Sequence, residues 1–253
     1  MRVLLRAVGH PIFDVAGRTA LVTGSSRGIG LALARGLVEA GCDVVLHGRD
    51  GAAVARSAGE LGARHVAFDV TEPEAVERGV AEVGPLDILV NNAGIQHREP
   101  LLELATADWQ RVLDTNLTSA FLVAREAARG MVAAGRGKII NIASLQAELA
   151  RPGIAAYGAA KGGLRMLTRG MCAEWGPAGV QVNAIAPGYF ATNLTRALVA
   201  DEGFSRWVRE RTPAGRWGRV DELVGALLFL ASPASDYVCG QVLYVDGGMS
   251  AVV

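Results

Sequence analysis

Seven short apolar runs recur along the chain, and most are followed by a stretch whose apolar positions repeat with helical spacing. The runs are TALVTG (19–24), CDVVLHG (42–48), ARHVAFDV (63–70), LDILVNN (86–92), GKIINIAS (137–144), VQVNAIAP (180–187) and GQVLYVDGG (240–248). Helical patterns fall at 28–40, 50–61, 72–82, 107–134, 155–176 and 219–231. The strand-like runs are nearly continuous in apolar residues rather than alternating, as strands covered on both faces require. This order predicts an α/β fold, a doubly wound seven-stranded parallel sheet with helices on both faces.

No linker, low-complexity segment or internal repeat interrupts the pattern, so one domain is expected over residues 1–253. Residues 1–16 read as an N-terminal extension, because Gly9, His10, Pro11 and Asp14 break its short apolar run before a signal core can form. The segment 189–218, YFATNLTRALVADEGFSRWVRERTPAGRWG, departs from the alternation and mixes aromatic, charged and Gly/Pro residues. It begins at a strand end, where ligands bind in open α/β sheets, and is expected to be a substrate loop or lid built from short helices.

Composition narrows the partners. A formal net charge of zero gives no basic excess for nucleic acid, and no apolar stretch approaches the roughly 20 residues of a membrane span. A small molecule is the expected partner. Cys42, Cys172 and Cys239 lie far apart in sequence and lack C-x-x-C or metal-ligand spacing, so they read as buried or half-buried thiols of a reducing, cytoplasmic compartment. His47, His65 and His97 have no metal-ligand spacing either, and no metal is expected.

The segment TGSSRGIG places Gly24, Gly28 and Gly30 directly after the first strand and at the opening of a helix. Glycines there let the backbone turn tightly against a pyrophosphate, and the helix N-terminus offers free N–H groups. The sheet is therefore expected to be of the Rossmann type. Its second strand ends in HGRD, so Gly48 stands where an acidic residue would bind the 2′-hydroxyl of NAD, and Arg49 follows. Arg49, with Arg27 inside the glycine loop, suits a 2′-phosphate and favours NADP(H). If the strand ended two residues later, Asp50 would serve NAD instead.

A second constellation is YGAAK, in which Tyr157 and Lys161 stand one helical turn apart on the same face. A cation beside a phenol favours the phenolate and brings its pKa towards a working range, as a general acid or base needs.

Taken in order, TGSSRGIG, DV at 69–70, NNAG at 91–94, Asn116 in DTNLTSAF, Ser144 in INIAS, YGAAK and PG at 187–188 resemble the short-chain dehydrogenase/reductase family from residue 12 onward. The resemblance implies that Tyr157 is the general acid/base and that Lys161 lowers its pKa and binds the nicotinamide ribose. It implies that Ser144 holds the substrate oxygen and that Asn116 anchors a water connecting Lys161 to solvent. It further implies a cofactor site made by Gly24, Ser26, Arg27, Gly28, Ile29, Gly30, Arg49, Asp69, Val70, Asn92, Ala93, Gly94, Pro187, Gly188 and Thr192, with Tyr157 and Lys161. A homotetramer also follows from the resemblance, with 107–134 and 155–176 pairing across subunits.

Within that family, NNAGIQHREPLLEL and SLQAELARPGIAAYGAAKGG are similar to members acting on sugar acids, which implies interconversion of gluconate and 5-ketogluconate or of a related polyhydroxy acid. Such a substrate needs a cation for its carboxylate and polar partners for its hydroxyls. Arg98 and Arg151 are the candidate cations, and Gln146 and Glu148 the hydroxyl partners, beside Ser144 and Tyr157. His97 reads as a surface histidine near the pocket. A 3-oxoacyl-acyl-carrier-protein reductase would instead call for an apolar channel and an exposed basic patch. A regulatory protein that senses NADP(H) without turnover would have no use for the Tyr157–Lys161–Ser144 set.

Overall fold

A computed structural model of the chain describes residues 10–192 and 195–253. The first nine residues of the N-terminal extension, and 193–194 within the substrate loop, lie outside the described residues.

All seven apolar runs form strands: β1 (Thr19–Val22), β2 (Asp43–Gly48), β3 (Arg64–Ala67), β4 (Ile88–Asn91), β5 (Gly137–Ile142), β6 (Val180–Pro187) and β7 (Val242–Val245). They make one sheet in the order β3-β2-β1-β4-β5-β6-β7, and every pairing is parallel. Strand order reverses between β1 and β4, which opens a crevice at their carboxyl ends, where a doubly wound sheet binds its ligand. The helices are α1 (Gly28–Glu39), α2 (Gly51–Leu61), α3 (Pro73–Val83), α4 (Thr106–Leu113), α5 (Ser119–Ala134), α6 (Ala155–Trp175), α7 (Arg196–Ala200), α8 (Glu202–Arg211) and α9 (Val224–Ala231).

Two apolar layers explain the unbroken runs. Val22, Leu46 and Ile140 point to one face and pack with Leu33 and Leu37 of α1 and Leu227 and Leu230 of α9. Their neighbours Leu21, Val45 and Ile139 point the other way and meet Val76 of α3, Val123 of α5 and Met171 of α6. Each such side chain contributes about 1.5–3 kcal/mol by leaving water, so neither face tolerates a polar residue cheaply.

The structure departs from the sequence pattern in two places. The stretch 107–134 is not one α-helix: a π turn at Asp114–Thr118 separates α4 from α5. One residue beyond the regular turn is accommodated there, and it carries Asn116 into the interior. The stretch 219–231 opens as a 3₁₀ turn at Val220–Leu223, where the Glu222 carboxylate accepts the Arg219 amide at 2.8 Å. The three thiols are unbridged and buried or half-buried, as expected; burial and the neighbouring Cys239 push the Cys172 thiol up to about 11. Among the described residues, no helix is long and apolar enough to cross a membrane.

Candidate active site

A cleft of about 1160 Å³ runs along the carboxyl ends of the strands. Its walls include every residue expected at the cofactor site, from Gly24 to Thr192, together with Asn116, Ser144, Tyr157 and Lys161.

The glycine loop forms its floor. Gly24 adopts φ +63°, and a Cβ on Gly30 would stand 2.4 Å from the Asn92 side-chain nitrogen and 2.5 Å from the Gly24 carbonyl. The loop and helix therefore approach more closely than any side chain permits. Asn92 donates to the carbonyls of Thr23 and Gly24 at 2.9 and 3.0 Å, and the Thr23 hydroxyl accepts the amides of Asn92 and Ala93, both at 3.0 Å.

At the adenosine end Arg49 projects from the end of β2 with 83% of its side chain exposed, 3.6 Å from Asp69. Asp69 resists the upward push of burial because the amide and hydroxyl of Thr71 donate to it at 2.9 and 2.7 Å and Arg49 stands close; together they hold its carboxyl below the usual range. Asp50 does not line the cleft, and its carboxylate caps α2 by accepting from the Ala53 amide at 3.0 Å. The NAD alternative built on Asp50 thus has no group in place, whereas Arg27 and Arg49 both face the cleft.

At the reacting end Tyr157 and Lys161 stand in the first two turns of α6, with the Lys161 Nζ 5.7 Å from the Tyr157 ring centroid. Lys161 is 4% exposed and donates to the Ile142 carbonyl at 2.7 Å; burial lowers its pKa to about 8. The phenol differs from expectation. Burial pushes the Tyr157 pKa up, opposed by a hydrogen bond with Ser144, and Lys161 does not reverse the shift. The reason is that the ammonium is engaged with the Ile142 carbonyl and is itself penalised by burial. Ser144 lies at the end of β5, donating to Gln146 Oε1 at 2.7 Å and accepting from the Gln146 amide at 3.2 Å.

Asn116 is buried, and its side chain makes three hydrogen bonds. Its Oδ1 accepts the Ile95 amide at 3.1 Å, while its Nδ2 donates to the carbonyls of Ile95 and Val112 at 3.0 and 2.8 Å. The side chain thus fixes the segment after β4.

The candidate substrate residues divide. Arg98, Gln146 and Arg151 line the cleft, but Glu148 does not. Glu148 is paired with Arg165 of α6 and accepts from the Tyr244 hydroxyl at 3.1 Å, so it braces the Ser144 segment against α6 and β7 from outside. Arg98 and Arg151 have no carboxylate within ion-pair reach among the described residues. Arg98 donates to Gln96 at 2.7 Å, and burial and the nearby Arg151 lower its pKa. Arg151 lies 4.6 Å over the Phe204 ring and 3.5 Å from the Tyr189 hydroxyl.

Sequence reasoning missed Tyr189. Its ring meets Phe204, Trp207 and Trp217 edge-on at 5.5–5.8 Å, and its hydroxyl reaches Gln146 and Arg151. The density of aromatic residues in 189–218 was the available signal. The structure also gathers His97, Glu99 and Asp108, which no sequence spacing joined. Arg111 already stands there, donating to Asp108 at 2.6 Å and lying 3.4 Å from His97 Nδ1.

Known proteins are similar to this chain in sequence and fold. A family model described as enoyl-(acyl carrier protein) reductase matches residues 24–250. The gluconate 5-dehydrogenase of Gluconobacter oxydans is 54% identical, over 96% of this chain and 99% of its own. The 5-keto-D-gluconate 5-reductase of Escherichia coli strain K12 is 46% identical, over 96% of this chain and all of its own. Among solved structures, a gluconate 5-dehydrogenase from Burkholderia cenocepacia in complex with NADP and tartrate superposes with a TM-score of 0.94 at 54% identity, over 96% of this chain and 99% of that one. On a family match over residues 24–250 and relatives 46–54% identical along nearly the whole chain, this chain belongs to the short-chain dehydrogenase/reductase family.

Proposed function

We propose that the chain is an NADP(H)-dependent oxidoreductase that interconverts gluconate and 5-ketogluconate or a closely related polyhydroxy acid. The observation that carries the substrate reading is the pair Arg98 and Arg151, two guanidiniums at the reacting end of the cleft with no carboxylate partner among the described residues. A substrate carboxylate would supply the missing partner, with bidentate geometry that a guanidinium favours. Gln146 and the Tyr189 hydroxyl would meet substrate hydroxyls. The same cations disfavour an acyl chain, so the acyl-carrier-protein reading becomes an outcome of the test.

When bound, the nicotinamide cofactor supplies or accepts the hydride. The residues of this chain do the rest. Ser144 would hold the substrate oxygen, Tyr157 would deliver a proton to it in reduction or remove one in oxidation, and Lys161 would hold the nicotinamide ribose. The glycine loop and α1 N-terminus would seat the pyrophosphate, with Arg27 and Arg49 on the 2′-phosphate. The segment 189–218 would close over the substrate.

The described residues form one domain in this proposal. Phe121 and Val132 of α5 and Met166 of α6, each at least 39% exposed, would be covered in a homotetramer. Three unbridged thiols fit the cytoplasm.

The test is loss of reduced-nicotinamide absorbance with NADPH and 5-ketogluconate, repeated with NADH and with an acetoacetyl thioester. Turnover with NADPH and the keto acid is expected. Turnover with the thioester alone would overturn the substrate reading, and preference for NADH would overturn the roles of Arg27 and Arg49.

A further inference from the structure

An imidazole lies beneath the glycine loop, away from the reacting groups. His47, next to last in β2, is 2% exposed. Its Nδ1 accepts the Gly24 amide at 3.1 Å, and its Nε2 lies 3.0 Å from the Phe68 carbonyl. Because Nδ1 accepts, the proton belongs on Nε2, which donates to Phe68. Burial pushes the ring's pKa down to about 4 against the opposing effects of the Phe68 carbonyl and Asp69, so it stays neutral where enzymes usually work.

The contacts on either side give this ring its meaning. The His47 backbone exchanges hydrogen bonds with Ser25 of the glycine loop, the amide to Ser25 Oγ and the carbonyl from the Ser25 amide, both at 2.9 Å. From the other side Asn92 grips the Gly24 carbonyl at 3.0 Å. Asn92 also takes the Thr23 carbonyl at 2.9 Å, so the Thr23–Gly24 peptide is held at its N–H by an imidazole of β2 and at its C=O by an amide just past β4. At the other end of the ring, Phe68 packs against it with centroids 4.1 Å apart, and Asp69 follows Phe68 at the cleft wall opposite Arg49. One rigid ring thus spans the loop after β1 and the end of β3, the two sides of the crevice that would receive the pyrophosphate and the adenosine.

We propose that His47 is a positioning residue for the dinucleotide, setting the separation between the glycine loop and the Phe68–Asp69 edge before the cofactor arrives. The proposal rests on the NADP(H) reading above. A satisfied core histidine with no bearing on binding is the competing view, and the two differ in what they move. A core role changes thermal stability alone; a positioning role changes cofactor affinity.

The test is calorimetric titration of the full chain with NADPH. His47→Phe keeps the ring and deletes both hydrogen bonds. His47→Asn places an oxygen near the Nδ1 position and keeps the acceptor for Gly24, and His47→Gln places an NH₂ near Nε2 and keeps the donor for Phe68. We expect the Phe variant to raise the NADPH Kd about tenfold or more, with kcat at saturating NADPH and the KM for the keto acid within about twofold. The Asn and Gln variants each keep one contact and cut the span at the other end, so each is expected to raise the Kd, by less than the Phe variant does. A Phe variant with the parent Kd, whatever its melting temperature, overturns the proposal. Should that variant fail to fold, Asn and Gln variants that both keep the parent Kd overturn it. Failure of the parent itself to bind NADPH overturns the cofactor reading and this inference together, whereas a bound parent with unmoved variants overturns this inference alone.

Discussion

The two halves of the cleft are built differently. The cofactor half is wired through short hydrogen bonds among Thr23, Gly24, Ser25, His47 and Asn92, most of them involving the backbone, at about 3 Å. The substrate half is built from long side chains leaning on one another: Arg151 over Phe204, Tyr189 against Trp207 and Trp217, and Arg98 on Gln96. Backbone wiring fixes positions to a few tenths of an ångström and tolerates few substitutions. Aromatic and guanidinium contacts are broad in geometry, so that half can adjust to what it binds. A shared dinucleotide suits the first construction and a particular substrate suits the second.

The largest effect that would sharpen this contrast comes from Tyr157→Phe, which removes only the proton-transfer group. Steady-state turnover is expected to fall about a thousandfold. NADPH affinity by titration should stay near the parent value, and a large loss of affinity would show that the two halves are not separable. Next in size, Arg98→Ala or Arg151→Ala should lower kcat/KM for a keto acid by about tenfold to a hundredfold while NADPH affinity holds. Equal loss on an uncharged ketone of similar size would break the link between these cations and a substrate carboxylate. The smallest effect belongs to Glu148→Gln, which sits outside the cleft in contact with Arg165 and Tyr244. It should leave kcat/KM within about twofold, because a partly exposed ion pair contributes little. A large fall in kcat/KM would return Glu148 to the substrate site.

The same division accounts for what could be read from the chain alone. Strand runs and the glycine loop are local: each apolar run is contiguous, and Gly24 to Gly30 span a single turn whose chemistry is set by nearest neighbours. Tyr157 and Lys161 were legible because helical spacing places both on one face. Glu148 misled because its partners are supplied by α6 and by β7, which no local spacing reveals. Tyr189 was missed for the same reason, its neighbours coming from α8 and from Trp217. The π turn escaped notice because apolar periodicity continues on both sides of it, and the extra residue shows only in the main-chain bonds around Asn116. Cys172 and Cys239 meet only because α6 lies alongside the segment leading into β7.

Placing Tyr157 and Lys161 on one helix has a consequence for how such a protein can diversify. α6 is seated on β6 and shares nothing of its backbone with the segment 189–218, so the aromatic segment can be rewritten without moving the helix that carries the proton-handling pair. New substrates can be explored by altering the length and aromatic content of α7 and α8, with the sheet, the glycine loop and α6 inherited intact.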